Sequence, residues 1–275
     1  MNTIKKPLRY YRVLSIAGSD SSGGAGVQAD LKTFSALGCY GMSVITALTA
    51  QNTQGGLDIH PIPPSFVRTQ LEAVLDDIGT DAVKIGMLFS AEIIQTVARV
   101  LQEREVGRIV LDPVMVAQSG HKLLEDAAVE AIKEELIPLA DLVTPNLPEA
   151  EVLLGQRIRT LAEMQGAVRD LAVFGGQGIL VKGGHLQEKE GTDLLYLREE
   201  DQIVTLNAEY IQTKNNHGTG CTMSSAAAAS LSRGKGLEQS VRNAKDYISK
   251  AIRAGAEYSL GQGNGPVHHF FDFWC

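Results

Sequence analysis

Short apolar, β-branched runs alternate with segments of helical period almost from one end of the chain to the other. Residues 12–18 (RVLSIAG) and 42–50 (MSVITALTA) read as buried strands, and 24–37 between them as a helix. Two prolines followed by a capping Ser65 open a helix over 65–78. Strands follow at 81–86, 108–112 and 141–146, separated by helices over 91–105 and 122–136. The second half continues with a helix over 161–174, a strand at 178–184 and a hairpin-like pair at 192–199 and 202–211. Helices over 218–231 and 237–258 close the chain, and the alanines at 226–229 read as close packing inside the first of them. This alternation predicts an α/β fold with a central, mostly parallel sheet flanked by helices on both faces, three layers in one domain over 1–275.

Composition narrows the classes of function. Apolar residues make up 44% of the 275-residue chain, enough for a full core and against a disordered chain. The net charge of −7 argues against non-specific nucleic-acid or membrane binding, but leaves room for a locally built phosphate site. Cys39, Cys221 and Cys275 are odd in number and far apart, which suggests neither a disulfide framework nor a zinc site. No apolar stretch of signal-sequence or membrane-span length is present, so the expected location is the cytoplasm.

In sheets of this kind ligands gather at the carboxyl ends of the strands. The most informative such segment is Asn215–Cys221 (NNHGTGC), a Gly-rich loop running straight into a helix. Gly218 and Gly220 let the backbone approach a ligand, and the free N–H groups of the helix start make an anion hole. Cys221 lies in the first turn, where the helix dipole is expected to lower its pKa; the alternative is an inert, buried thiol. Asn146 and Glu149 (NLPE) place an amide and a carboxylate on one face of a first turn, read either as a Mg²⁺ site or as a plain helix cap. Asp112 ends RIVLD, and Lys182 ends GILVK within reach of a nucleotide phosphate; a turn carboxylate and a solvated edge lysine are the competing readings. Gln51 closes an apolar strand and offers an amide suited to a heteroaromatic ring edge, or to a loop backbone. Asp20 and Asp30, in or beside the loop at 18–26, suit a polar small-molecule pocket. Gly24–Ala29 matches G-x-G-x-x-A only formally, since it starts six residues past Gly18 and lacks the later acidic residue. No P-loop motif occurs. His268 and His269 adjoin FFDFW and read as docking the C-terminus, while His60, His121 and His185 lack metal-pair spacing.

Taken in order, AGSDSSGGAGVQADLKTFSALG, QNTQG, KIGML, LDPVM, TPNLPEAEVLLG, VKGGH, NHGTGC and GPVHHF resemble the hydroxymethylpyrimidine/phosphomethylpyrimidine kinases of thiamine synthesis, within the ribokinase-like superfamily. The resemblance spans nearly the whole chain. It implies ATP and Mg²⁺, a homodimer, and Gln51 on the pyrimidine with Gly18, Asp20, Met87 and Val114 lining that pocket. It places Lys182, Asn146 and the Gly218–Thr219–Gly220 loop on the ATP side, and Glu149 with Asp112 on the metal. Cys221 stands where many ribokinase-like enzymes carry an Asp base, a departure that this subfamily shares. The implied reaction moves one phosphoryl to an alcohol and a second to the resulting monophosphate. Pyridoxal kinase activity, a non-catalytic vitamin-binding protein and an NAD-dependent dehydrogenase are the rival readings, in that order.

Overall fold

The structure is a computed structural model, and it describes residues 8–115, 125–184 and 191–274. A nine-stranded sheet runs through them. Its strands are β1 (Arg12–Asp20), β2 (Tyr40–Asn52), β3 (Gly55–Pro61), β4 (Ala82–Ile85), β5 (Ile109–Leu111), β6 (Leu142–Val143), β7 (Gly178–Lys182), β8 (Asp193–Leu197) and β9 (Gln202–Leu206). The order is β3-β2-β1-β4-β5-β6-β7-β8-β9, parallel from β2 to β7 with antiparallel strands at both edges. The helices are α1 (Gly26–Ala36), α2 (Pro64–Asp77), α3 (Ala91–Glu103), α4 (Asp126–Ala131), α5 (Leu147–Leu154), α6 (Leu161–Leu171), α7 (Thr219–Ser232) and α8 (Leu237–Gly255). None of the described helices is long and apolar enough to cross a membrane.

Side-chain alternation along the strands feeds two cores, one on each face of the sheet. Leu14, Ile16, Val83, Ile85, Ile109, Leu111, Val143, Ile179 and Val181 face the core shared with α2 to α6. The residues of opposite parity, among them Val13, Ala82, Val110, Leu142 and Leu180, face the core shared with α1, α7 and α8. The alanines at 226–229 are fully buried there, since small side chains let α7 lie close to the sheet and to α8. The mostly parallel sheet covered on both faces is as expected.

Three expectations need correction. Residues 55–61 form an antiparallel edge strand that the sequence did not announce. Ser65 is not a cap: Pro63 occupies the N-cap position and Pro64 the first turn, so the fixed proline φ starts α2 without a side-chain acceptor. The helix expected over 122–136 is described from Asp126 and passes into a π-helical turn at Ile132–Leu136; its expected start lies outside the described residues.

Candidate active site

The parity that builds the two cores also sorts the polar strand residues. Ser15, Lys84, Asp112, Thr144 and Lys182 all have the parity of the α7 face, so the chemistry at the strand ends converges beneath the start of α7. Lys84 and Asp30 form a fully buried ion pair at 2.9 Å, with the Ser15 and Ser225 hydroxyls donating to the same carboxylate at 2.6 and 2.7 Å. Burial opposes the Lys84 charge, but Asp30, with Cys221 and Asp112 behind it, outweighs that penalty and raises its pKa. Asp30 is therefore a clamp between α1, β4 and α7, not the pocket residue expected from sequence.

The next group along is Lys182, Asp112 and Glu149. Lys182 Nζ donates to Asp112 Oδ1 at 2.8 Å; Thr144 and Ser224 hydroxyls donate to Asp112 at 3.1 and 3.3 Å. A Cβ added to Gly220 would sit 3.2 Å from Lys182 Nζ and 3.6 Å from Asp112 Oδ2, so the open side of α7's first turn faces both charges. Burial works against the Lys182 ammonium, and Asp112 and Glu149 more than offset it, so its pKa is raised. Burial likewise opposes the Asp112 charge, yet Lys182 and Lys84 hold its pKa down. Asn146 and Glu149 complete a capping box on α5: Asn146 Oδ1 accepts from the Glu149 N–H and Glu149 Oε2 from the Asn146 N–H, both at 2.8 Å. The cap and the functional reading coexist, because the same box delivers the Glu149 carboxylate beside Lys182. Burial raises the Glu149 pKa, Lys182 pulls it down and Asp112 pushes it up again, leaving it at about 7.

That raised value carries a stability consequence. A buried acid with a folded pKa near 7 loses stability as pH rises from its unfolded value toward 7, because only the unfolded chain ionises freely. Glu149→Gln keeps an acceptor for the capping box and removes the ionisation. It is expected to melt above the wild type at pH 8, with the difference closing by pH 5; thermal melts at the two pH values check this.

At the start of α7, Gly218 adopts φ +80° as the N-cap, and a Cβ there would overlap the Gly24 carbonyl oxygen. Gly218→Ala is expected to cost at least about 1–3 kcal/mol, read in urea melts. Thr219 donates both its hydroxyl, at 2.7 Å, and its N–H, at 3.3 Å, to the Asn216 carbonyl, which leaves the N–H groups of Gly218 and Gly220 as the loop's donors to a phosphate. Cys221 is half-buried in the first turn, as expected, but its pKa is not lowered. Burial raises it most, Asp30 and Asp112 add to the rise, and Lys84 and the Gly26 N–H pull it down, leaving it at about 11. Desolvation and two nearby carboxylates outweigh the pull of Lys84.

A third group lies at the ends of β1 and β2. Gly18 is buried against Met87, whose methyl group fills the place of a Cβ. Val114 is half-buried just past Asp112. Gln51 is half-buried, its main chain tied to the Ser21 hydroxyl through both N–H and C=O at 2.8 Å. Asp20 differs from expectation. Its oxygens accept from Ser22, Gly24, Ala25 and His217, so it organises the loop and offers no free carboxylate to a ligand. Burial opposes its charge, but these bonds, from His217 and Ser22 foremost, hold its pKa far below the usual range. His217 stands in the NNHGTGC segment, but the sequence assigns its side chain no role, because the partners Asp20 and Gln51 are far away in the chain. The C-terminal histidines dock the tail as expected: His268 packs on Tyr258 and Trp274, and His269 bonds Thr222 at 3.0 Å. His121 and His185 lie outside the described residues.

Among the described residues no three His, Cys, Asp or Glu side chains come together as a metal cage. The pair Asp112 and Glu149 suits Mg²⁺ in its usual manner, one or two carboxylates supplemented by substrate phosphates and water. Glu149's elevated pKa marks a carboxylate that a cation would satisfy.

Comparison with known proteins follows this geometry closely. Residues 20–268 match the model of the phosphomethylpyrimidine kinase family. A hydroxymethylpyrimidine/phosphomethylpyrimidine kinase of Rhizobium meliloti is 51% identical, covering 95% of this chain and 97% of its own. The thiamine biosynthesis bifunctional protein ThiED of Geobacter sulfurreducens is 50% identical over 94% of this chain and 52% of its own. Among solved structures, a phosphomethylpyrimidine kinase from Clostridium difficile aligns at TM-score 0.78 and 43% identity over 88% of this chain and 99% of that one. The Staphylococcus aureus pyridoxal kinase in complex with AMP-PCP and pyridoxal aligns at 0.87 and 36%, over 96% and 95%.

Proposed function

The chain belongs to the phosphomethylpyrimidine kinase family, and from that membership we propose how its residues divide the work. The protein is a ribokinase-like phosphotransferase that phosphorylates 4-amino-5-hydroxymethyl-2-methylpyrimidine and then the resulting monophosphate, in thiamine biosynthesis. ATP is the donor, in keeping with the nucleotide complexes of its structural relatives. The observation that carries the assignment of roles is Lys182, held between two buried carboxylates and facing the first turn of α7. An ammonium and free N–H groups around one space are what a moving phosphoryl group needs.

Gln51 reads the pyrimidine edge, in a pocket whose other walls are Gly18, Met87 and Val114. Lys182 and the N–H groups of Gly218 and Gly220 hold the transferred phosphoryl and stabilise the charge that spreads over its oxygens. Asn146 fixes Glu149 through the capping box, and Glu149 with Asp112 would hold Mg²⁺, which supplies charge neutralisation on the phosphates when bound. In the first step the alcohol oxygen bonds to the γ-phosphorus, the bond from that phosphorus to the bridging oxygen breaks, and ADP leaves. Cys221, as thiolate, takes the alcohol proton. The second acceptor is a phosphate oxygen, already anionic near neutral pH, so that step asks nothing of Cys221. The family resemblance further supports a homodimer in the cytoplasm.

The structural likeness to pyridoxal kinases makes pyridoxal the informative competitor. The proposal expects kcat/KM for the pyrimidine alcohol to exceed that for pyridoxal by at least about tenfold. Equal or reversed values would transfer the assignment to vitamin B6 salvage.

A further inference from the structure

His217 Nε2 lies 2.8 Å from Asp20 Oδ2 and 3.2 Å from the side-chain nitrogen of Gln51. Two strand ends and the loop before α7 thus meet at one ring atom: Asp20 closing β1, Gln51 near the end of β2, and His217 itself, just before Gly218. The ring is firmly seated. Gly24 leaves it the room that a Cβ would take, its backbone pairs with Pro266, and its main-chain N–H donates to the Gly265 carbonyl at 3.0 Å. The Gln51 backbone is equally fixed, through Ser21 and through its register opposite Gly56. What remains adjustable is the sense in which the Gln51 amide points.

Asp20 is an ionised carboxylate that only accepts, so the proton between it and His217 sits on Nε2. The same N–H also faces the Gln51 side-chain amide at 3.2 Å; as a three-centre donor shared with Asp20, it has no lone pair for an amide nitrogen and can be met only by the amide oxygen. With the oxygen drawn toward His217, the Gln51 amide group presents its two N–H donors to the pocket. Such donors match an unprotonated ring nitrogen.

We infer that His217 is a positioning residue for substrate recognition: held in one tautomer by Asp20, it selects the sense of the Gln51 amide and makes Gln51 a reader of a heteroaromatic ring nitrogen. The inference rests on the proposal that Gln51 faces the pyrimidine. It gives the strand-end loop a role in specificity, separate from the phosphate chemistry a few residues later.

The test is a double-mutant cycle on the full-length protein with the pyrimidine alcohol and ATP. His217→Phe keeps the ring's bulk and removes its N–H. It is expected to raise KM for the pyrimidine about tenfold while KM for ATP and kcat stay within about twofold. His217→Gln, which restores a donor near the Nε2 position, should recover most of that loss. In a Gln51→Ala background His217→Phe should add less than about twofold. Independent, multiplying effects, or an equal rise in KM for ATP, would overturn the inference in favour of a purely structural histidine. If His217→Phe does not fold, the wild type still decides: with ¹⁵N-labelled histidine, the pyrimidine alone should shift the His217 resonances, and should fail to do so in Gln51→Ala. Unmoved resonances in the wild type overturn it equally. A wild type that leaves the pyrimidine unphosphorylated refutes the substrate assignment, and this inference with it.

Discussion

Lys182→Met is expected to lower kcat by about 10²–10³-fold for both phosphorylation steps, because both move a phosphoryl group through the same space. The side chain of Lys182 is 14% exposed and that of Asp112 only 2%, so the substitution also strands a buried carboxylate. Breaking such a pair costs up to about 3–5 kcal/mol, and the partial exposure of Lys182 puts the expected loss toward the lower end. The pH dependence follows in sign. With the ammonium gone, the pKa values of Asp112 and Glu149 both rise, and a raised acid destabilises the folded state most at high pH. The stability gap to the wild type should therefore be widest near pH 8 and narrow toward pH 5. Urea melts and single-turnover kinetics at both pH values check the two halves together. A variant with kcat within tenfold of the wild type would remove Lys182 from the phosphoryl site.

Cys221→Ala is expected to separate the two reactions. Loss of a general base slows the alcohol step by about 10²–10⁴-fold, while phosphorylation of the monophosphate changes by less than tenfold. The thiol sits near 11 in the folded protein, so at pH 7 only about 10⁻⁴ of it is thiolate. A base that must first lose its own proton makes the rate climb with pH. The wild-type alcohol step should accelerate about tenfold per unit between pH 7 and 9, and that climb should vanish in Cys221→Ala. The monophosphate step should lack it in both proteins. Equal losses in the two steps, or a flat wild-type profile, would make Cys221 a packing residue of the α7 start.

Much of this was legible before the structure. Alternation of β-branched runs with helical period marked the parallel strands, because a strand covered on both faces must be apolar throughout. The NLPE and NHGTGC segments were legible because a cap and a Gly-rich helix start have strict local requirements, and the fold brings both to Lys182. The edge strand at 55–61 was not, since its residues are mostly exposed and carry no buried face to read. The Lys84–Asp30 pair was hidden for the opposite reason, Asp30 reading as a pocket residue: each sits in an apolar or amphipathic element and finds its partner 54 residues away. One signal could have found Lys84. It breaks an apolar strand at the parity that Asp112 and Lys182 share. The bonds that occupy the Asp20 carboxylate and the charges that raise the Cys221 pKa were not legible, because hydrogen bonds within a folded loop and charges on other elements are not properties of local sequence.

The central claim is that one site carries the pyrimidine alcohol to the diphosphate in two steps. A ³¹P NMR time course of the purified protein with Mg²⁺, ATP and 4-amino-5-hydroxymethyl-2-methylpyrimidine tests it most directly. The account predicts that the monophosphate appears first, that the diphosphate follows at its expense, and that one ADP accompanies each phosphoryl transferred. ADP formed without either phosphorylated pyrimidine, or a monophosphate that accumulates and is never consumed, would contradict it.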